Sequence, residues 1–378
     1  MKEETRLLIE SGERFLTTNY SFEKRCELLK AGEENQTVVD NWNTFAELGW
    51  TGVGIPESQG GFGDLSDMFE LLRVLGEGLI LEPLASSLIG AQLLSLSSEN
   101  ALAARSLAEV ISGESRVISA LAESKNGFSN DEILTSAADC SDGFKLNGEK
   151  NLILDADSAS GFIVSANYQS KNKESSHIGL YLVDRKSEGI SITSSDSTDD
   201  RQLVNLKFDG VILPKESLLL ENESANVAIE FEENLRAACA SADALGAMHS
   251  LLSRTVEYSK DRKQFGKAIG SFQALQHKMA DMFMAVERAK SMFIMMCDAF
   301  DQSFSQRDLT RAVSMARVEI CDSARLVGQH AVQIHGGIGI TDELAASHYF
   351  KRLTANQFYG GDSTFHLGKY LTLHNSED

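Results

Sequence analysis

Gly161-Phe-Ile-Val-Ser-Ala166 and Ile178-Gly-Leu-Tyr-Leu-Val183 decide the fold. Both runs are short, rich in β-branched or aromatic residues, and bounded by Ser, Asp or Gly, which is the signature of strands. Arg116-Val-Ile-Ser-Ala-Leu-Ala122 and Leu203-Val-Asn-Leu-Lys-Phe208 repeat the pattern to either side. No run of helical spacing intervenes between Ser115 and about Leu220, so an antiparallel sheet or barrel is expected rather than a doubly wound one. The middle third reads as a β-domain.

Outward toward the N-terminus the apolar period lengthens to three or four. Met68, Leu71, Leu72 and Leu75, then Leu88, Leu93 and Leu94, mark helix faces between Glu4 and about Ile111. Gly49 to Gly63 interrupts them with a glycine-rich run containing Pro56, which predicts a long structured loop. Outward toward the C-terminus, Leu235, Cys239, Ala242, Leu245, Met248, Leu252 and Val256 hold one face of a helix ending near Gly266. Further helices are expected over Phe272 to about Phe300, Arg307 to about Ile334, and from about Asp342. Four long helices with short links read as an up-and-down bundle. The fold class is therefore α+β, with an N-terminal helical domain over 1–112, a middle antiparallel β-domain over 113–221 and a C-terminal four-helix bundle over 222–378.

Composition narrows the function classes. A chain of 378 residues is long enough for two to three domains, and only three prolines leave long helices unbroken. Fifty-five acidic against 35 basic side chains give a net charge of −20, which repels nucleic acid and anionic lipid. Five scattered cysteines without a close pair point to a reducing compartment. The charged start Met1-Lys2-Glu3-Glu4-Thr5 lacks a signal-peptide run, and no stretch is apolar enough to span a bilayer. A soluble cytoplasmic protein is expected. Eight histidines show no ligand spacing, so no metal site is expected, and neither His335 nor His366 is taken as catalytic. Met282, Met284, Met292, Met295 and Met296 fall on one helix and read chiefly as core.

Two motifs stand at helix ends. Asp261-Arg-Lys-Gln-Phe-Gly266 places basic residues at the negative end of a helix dipole, and Gln333-Ile-His-Gly-Gly-Ile-Gly339 follows another long helix. Each is readable as a cap; glycine backbone also lets amides approach a diphosphate closely. Taken with Phe272-Gln273 and with Ile55-Pro-Glu57, Gly60-Gly-Phe-Gly63 and Leu146-Asn-Gly-Glu-Lys150, which are similar to loops of the acyl-CoA dehydrogenase family, they make a chain that resembles that family over nearly its whole length.

The resemblance implies an FAD enzyme that dehydrogenates an acyl-CoA thioester between Cα and Cβ. A carboxylate takes the α-proton, hydride passes to flavin N5, and an electron-transfer flavoprotein accepts the electrons. Arg262, Phe265, Gln273, Gln333, Gly336 and Gly337 match positions that hold FAD, its adenosine diphosphate lying mainly in a neighbouring subunit. Glu123, Leu154 and Thr364 match further cofactor positions. A homo-oligomer, or a hetero-oligomer with a homologous chain, follows from a cofactor shared between subunits. Ala238-Cys239, Ala244-Leu-Gly-Ala-Met248 and Gly337-Ile-Gly-Ile-Thr-Asp-Glu-Leu344, with Gly361-Asp362 and His366-Leu367, look most like the pimeloyl-CoA dehydrogenase small-subunit type, which acts on dicarboxylyl or bulky esters.

Three departures bear on the chemistry. The family's Thr-Glu-Pro and Gly-Ser-Asp appear as Ala122-Glu123-Ser124 with Lys125, Asn126, Gly127 and Phe128, which removes a hydroxyl facing substrate or flavin. Its Trp-Ile-Thr is Leu152-Ile153-Leu154, which removes an aromatic flavin wall and a second hydroxyl. Its Tyr-Glu-Gly-Thr is Tyr359-Gly360-Gly361-Asp362, and the alternative position for the base, on the long helix, holds Arg236. Asp362 is the nearest substitute carboxylate, and Asp243, two turns beyond Arg236 on roughly the same face, is the second. Capping of the last helix is the structural alternative for Asp362, and a buried polar role that for Asp243. If neither is a base, the chain is a non-catalytic paralogue that completes a partner's FAD site.

Overall fold

The structure is a computed structural model that describes residues 2–31, 36–123, 132–169, 177–302 and 304–375. Six helices come first: α1 (Glu3–Asn19), α2 (Phe22–Ala31), α3 (Gln36–Glu47), α4 (Leu65–Gly76), α5 (Leu84–Leu96) and α6 (Ala101–Ile111). Eight strands follow: β1 (Val117–Ala120), β2 (Ser136–Cys140), β3 (Gly143–Leu154), β4 (Gly161–Gln169), β5 (His177–Asp184), β6 (Ile190–Asp196), β7 (Gln202–Leu213) and β8 (Leu218–Glu221). The chain ends with α7 (Asn222–Asp261), a small hairpin of β9 (Lys263–Gln264) and β10 (Lys267–Ala268), then α8 (Gln273–Asp301), α9 (Gln306–His335), α10 (Ala345–Tyr359) and α11 (Ser363–Asn375). The order helices, strands, helices is the one expected, and among the described residues no helix is long and apolar enough to cross a membrane.

Contacts divide the chain into two compact units that alternate along the sequence, Met1–Gly32, Leu65–Ile80 and Arg236–Asp378 against Glu33–Asp64 and Leu81–Leu235. The second unit is built on an eight-stranded sheet of order β6-β7-β3-β2-β4-β5-β8, with β1 also on β4. Pairing is antiparallel except where β4 meets β1 and β2, which run parallel to it. Alternation sets the faces: Val204, Leu206 and Phe208 of β7 are buried, whereas Lys207 between them is exposed. One apolar layer joins Phe162, Val164, Tyr181 and Phe208. The other seats Val117, Ile163 and Leu182 against Leu94 of α5, Leu107 of α6 and Ile229 of α7. Each fully buried side chain of this size stabilises by about 1.5–3 kcal/mol. The loop of Gly49 to Gly63 is ordered as expected, since Trp50, Val53 and Ile55 are wholly buried and Thr51 donates to the Ile111 carbonyl at 2.7 Å.

The first unit is helical. Its expected fourth C-terminal helix is two, because Tyr359 to Asp362 turns the chain between α10 and α11. Leu146 to Lys150, read as a loop, lies within β3, where register shifts after Leu146 and after Lys150 take up the irregularity.

Candidate active site

The sequence ends α7 with Arg262, and the hairpin that follows projects Phe265 into solvent. Phe265 is 91% exposed and carries φ +51°, a left-handed backbone that costs a side-chain-bearing residue about 1 kcal/mol or more. Arg262 is exposed and its guanidinium has no hydrogen bond or ion pair among the described residues. Gln273 and Gln333 are also exposed. Gly336 has φ +67° and ψ −148°, open only to glycine, and a Cβ placed on Gly336 or Gly337 would meet nothing within 4 Å. The ends of α7 and α9 are tied together one turn back: the Tyr258 ring stacks on His335 at 4.3 Å, and its hydroxyl lies 3.4 Å from the His335 carbonyl. The structure thus brings Arg262, Phe265, Gln333, Gly336 and Gly337 to one open end of the helical unit. Thr364 is exposed at the second position of α11.

The Tyr359–Asp362 turn is closed by comparison. Arg317 of α9, 1% exposed, donates from Nε to the Gly361 carbonyl at 3.0 Å and from Nη2 to that of Asn356. Arg236 donates to the Tyr359 carbonyl at 2.9 Å, and His366 Nε2 to that of Gly360 at 2.7 Å. Burial pushes His366 down to about 3, so it stays neutral, and burial lowers Arg317 as well. A Cβ on Gly360 would lie 2.9 Å from Arg317 Nη2 and 3.0 Å from the Ala240 Cβ. The space that a side chain at 360 would enter is therefore occupied by a guanidinium.

Both carboxylates singled out from the sequence have structural partners. Asp362 Oδ1 accepts from the Phe365 amide at 2.8 Å and caps α11. Asp243 accepts from Arg352 at 3.2 Å and from the Asn356 amide at 2.5 Å.

In the sheet unit Glu123 is 6% exposed and fully engaged. Its carboxylate takes Lys150 Nζ at 2.6 Å, the Leu134 and Thr135 amides at 2.8 and 3.2 Å, and the Thr135 hydroxyl at 2.9 Å. Lys150, with no exposed surface, also donates to Ser165 Oγ and to the Leu121 carbonyl, and burial pushes it down to about 8. Leu154 is 5% exposed, whereas Leu152 is 62% exposed at φ +55° on the β3 bulge, its amide bound to Asn205 Oδ1. Leu152 is thus the open residue of its tripeptide, and the two most exposed apolar side chains on left-handed backbone are Leu152 and Phe265. Ser124 to Phe128 lie outside the described residues. Among the described residues no histidine, cysteine and carboxylate cluster could hold a metal.

Sequence reasoning missed Arg317. Its signal was available: a charged residue within the apolar face Val313, Ala316, Ile320, Cys321 and Ala324, all buried.

Residues 225–369 match the family model for the acyl-CoA dehydrogenase C-terminal domain. The chain is 29% identical over 351 residues to the caffeyl-CoA reductase-Etf complex subunit CarC of Acetobacterium woodii, covering 89% of each chain. Its fold is that of butyryl-CoA dehydrogenase from Megasphaera elsdenii, at TM-score 0.88, 22% identity and 98% of each chain. It is also that of a chain of the ChsE4-ChsE5 complex from Mycobacterium tuberculosis, at TM-score 0.86 and 21% identity, covering 100% of this chain and 98% of that one. In its order of helices, central sheet and C-terminal helices the chain has the acyl-CoA dehydrogenase fold, and its residues 225–369 match that family's C-terminal domain.

Proposed function

We propose that this chain serves the FAD-dependent α,β-dehydrogenation of an acyl-CoA thioester as part of an oligomer. The observation that carries this reading is the open end of the helical unit, where an unpaired Arg262, an outstretched Phe265 and the bare backbone of Gly336 and Gly337 remain unused by the chain's own packing. These features fit a diphosphate: guanidinium and exposed amides neutralise it, and glycine admits it closely. FAD, when bound, supplies the hydride acceptor. Arg262, Gln333 and Gly337 would hold its diphosphate end, with Gln273 and Phe265 beside it. Toward the ring, Leu152 is the accessible side chain; Glu123 and Leu154 serve from behind, by fixing the strands. Thr364 belongs to the same reading at the start of α11.

Proton abstraction is the step for which this chain is least equipped. Gly360 is shut in by Arg317, and Arg236 occupies the other position. Asp362 and Asp243 would have to release a helix cap or an ion pair to act. These facts favour a second reading, in which this chain completes the FAD site of a homologous partner that brings the base. CarC is named as a subunit of an Etf complex and ChsE4-ChsE5 as a complex, which supports an electron-transfer flavoprotein as acceptor and a hetero-oligomer as assembly. The resemblance of Ala244 to Met248 and of Gly337 to Leu344 supports a dicarboxylyl or bulky acyl group.

The test is the flavin spectrum of the chain purified alone, followed by anaerobic bleaching with a panel of acyl-CoA esters. Arg262→Ala should lower FAD affinity roughly ten- to a hundredfold. Bleaching by the parent but not by Asp362→Asn or Asp243→Asn would identify the base. Bound FAD that no ester bleaches establishes the cofactor-completing subunit, and absence of FAD affinity both alone and with a homologous chain ends the proposal.

A further inference from the structure

We infer that the cleft between α7 and the start of α10 is a binding site for a phosphate group, free or carried on a small molecule. The cleft has a volume of about 350 Å³ and is lined by Arg254, Tyr258, His335, Leu344, Ala345 and Ala346, all within the helical unit.

Three features point to an anion. First, α10 runs for 15 residues, and its N-cap position holds Leu344, whose side chain makes no capping bond. The Ala345 and Ala346 amides begin the helix on the cleft wall with the positive end of its dipole, so an oxyanion there would find donors that no side chain satisfies. Second, His335 is only 6% exposed yet lines the cleft. Its Nδ1 lies 2.9 Å from the Ala331 carbonyl, which can only accept, so Nδ1 carries the hydrogen. Nε2 is then a lone pair with no hydrogen-bond partner among the described residues. Burial lowers the pKa of this imidazole, so it is neutral at pH 7. Third, the exposed Arg254 has no carboxylate within ion-pair distance among the described residues; its Nε meets Ser250 Oγ at 3.4 Å, and its guanidinium lies 5.7 Å from the Tyr349 ring centroid. Glu257 also lines the cleft, but its charge is met by Lys260 at 2.6 Å.

A phosphate separates itself from other anions at this site through His335. A free Nε2 lone pair accepts from a protonated oxygen, and a phosphate monoester, whose second pKa is about 6, can supply one. Near pH 7.5 the free ligand is mainly the dianion and the imidazole is neutral, so the complex takes up about one proton. An apolar wall of Leu344 and Ala345 in a cleft this size leaves room for an organic group beside the phosphate.

The experiment is titration calorimetry on the full chain, with inorganic phosphate, adenosine 5′-monophosphate and adenosine, in two buffers of different ionisation heat. Saturable binding of phosphate or the monophosphate with uptake of close to one proton is expected, weakened about tenfold or more by Arg254→Ala. His335→Asn keeps a donor toward Ala331 and should abolish the proton uptake. A tighter monophosphate identifies an esterified ligand, and equal affinity a bare phosphate. The inference is overturned if neither phosphate binds, if both variants bind like the parent, if adenosine binds as well as its monophosphate, or if Arg262→Ala abolishes binding, which would place the ligand on the hairpin surface.

Discussion

Lys150 in the sheet unit and Arg317 in the helical unit are both cations out of contact with water, and they are accommodated in opposite ways. Lys150 has a dedicated carboxylate, Glu123, which is in turn saturated by amides and a hydroxyl. Arg317 has carbonyl oxygens at a helix end and the following turn. The first arrangement closes a charge pair; the second spreads one charge over backbone dipoles. A closed pair is fragile to the loss of either member, because the survivor is left as a buried charge. A dipole-held cation is fixed by the path of the backbone, and in holding that path it excludes other side chains from it.

Breaking the sheet pair should give the largest effect. Lys150→Met leaves Glu123 buried without its cation and should cost about 3–5 kcal/mol, read as a lowered urea midpoint. A loss below about 1 kcal/mol would mean the pair is replaced by water. Arg317→Met strands two carbonyls and should cost about 2–4 kcal/mol, with the α10–α11 turn gaining amide exchange while the sheet does not. Next in size is a test of exclusion: Gly360→Ala should destabilise the parent by about 1–3 kcal/mol and by less in an Arg317→Ala background, the two changes coupling because their atoms would collide, while the Ala240 Cβ at 3.0 Å keeps part of the cost.

Acid distinguishes the two cations further. Burial alone would raise Glu123, but the Lys150 charge and the bonds from Lys150, Leu134 and Thr135 outweigh it and hold the carboxyl below its ordinary 4.5. Its folded form binds the proton less tightly than its unfolded form. The stability it contributes is complete above about pH 4.5 and is lost as pH falls through the folded value. Stability measured from about pH 6 to 3 should therefore fall less steeply in Glu123→Gln than in the parent. The smallest effect is expected at Leu152, where glycine would remove a left-handed penalty; Leu152→Gly should change stability by no more than about 1 kcal/mol, toward gain.

The change of apolar period made the helix–strand–helix order legible, and α7, α8 and α9 end within a few residues of where the pattern breaks. β2 and β6 were not legible because Ser136-Ala-Ala-Asp-Cys140 and Ile190-Ser-Ile-Thr-Ser-Ser-Asp196 have too little apolar surface to declare a strand; they are strands through the partners they pair with. The division at Tyr359–Asp362 is written in two adjacent glycines, but what holds it comes from α7, α9 and α11, which no local window contains. At the site, the exposure of Arg262 and Phe265 follows from their place at a helix end. Leu152 and Leu154 differ for a subtler reason. Two residues apart on a strand they should share a face, and the bulge with its left-handed residue sends one out and the other in. A bulge is fixed by two strands together, so one strand's sequence does not announce it.

The guanidinium lodged against Gly360 also bears on descent. Any glycine codon becomes that of a glutamate or an aspartate by a single base change, so a carboxylate at this turn is one step away in the genetic code. In this chain the newcomer would arrive against Arg317, be held as an anion there, and be a poor proton acceptor for the same reason it was stabilised. Acquiring a base at 360 needs Arg317 to leave first, and its departure unfastens the turn on which the base would stand. The two substitutions are each harmful alone, and a lineage that has placed an arginine here has a narrow path to a working glutamate.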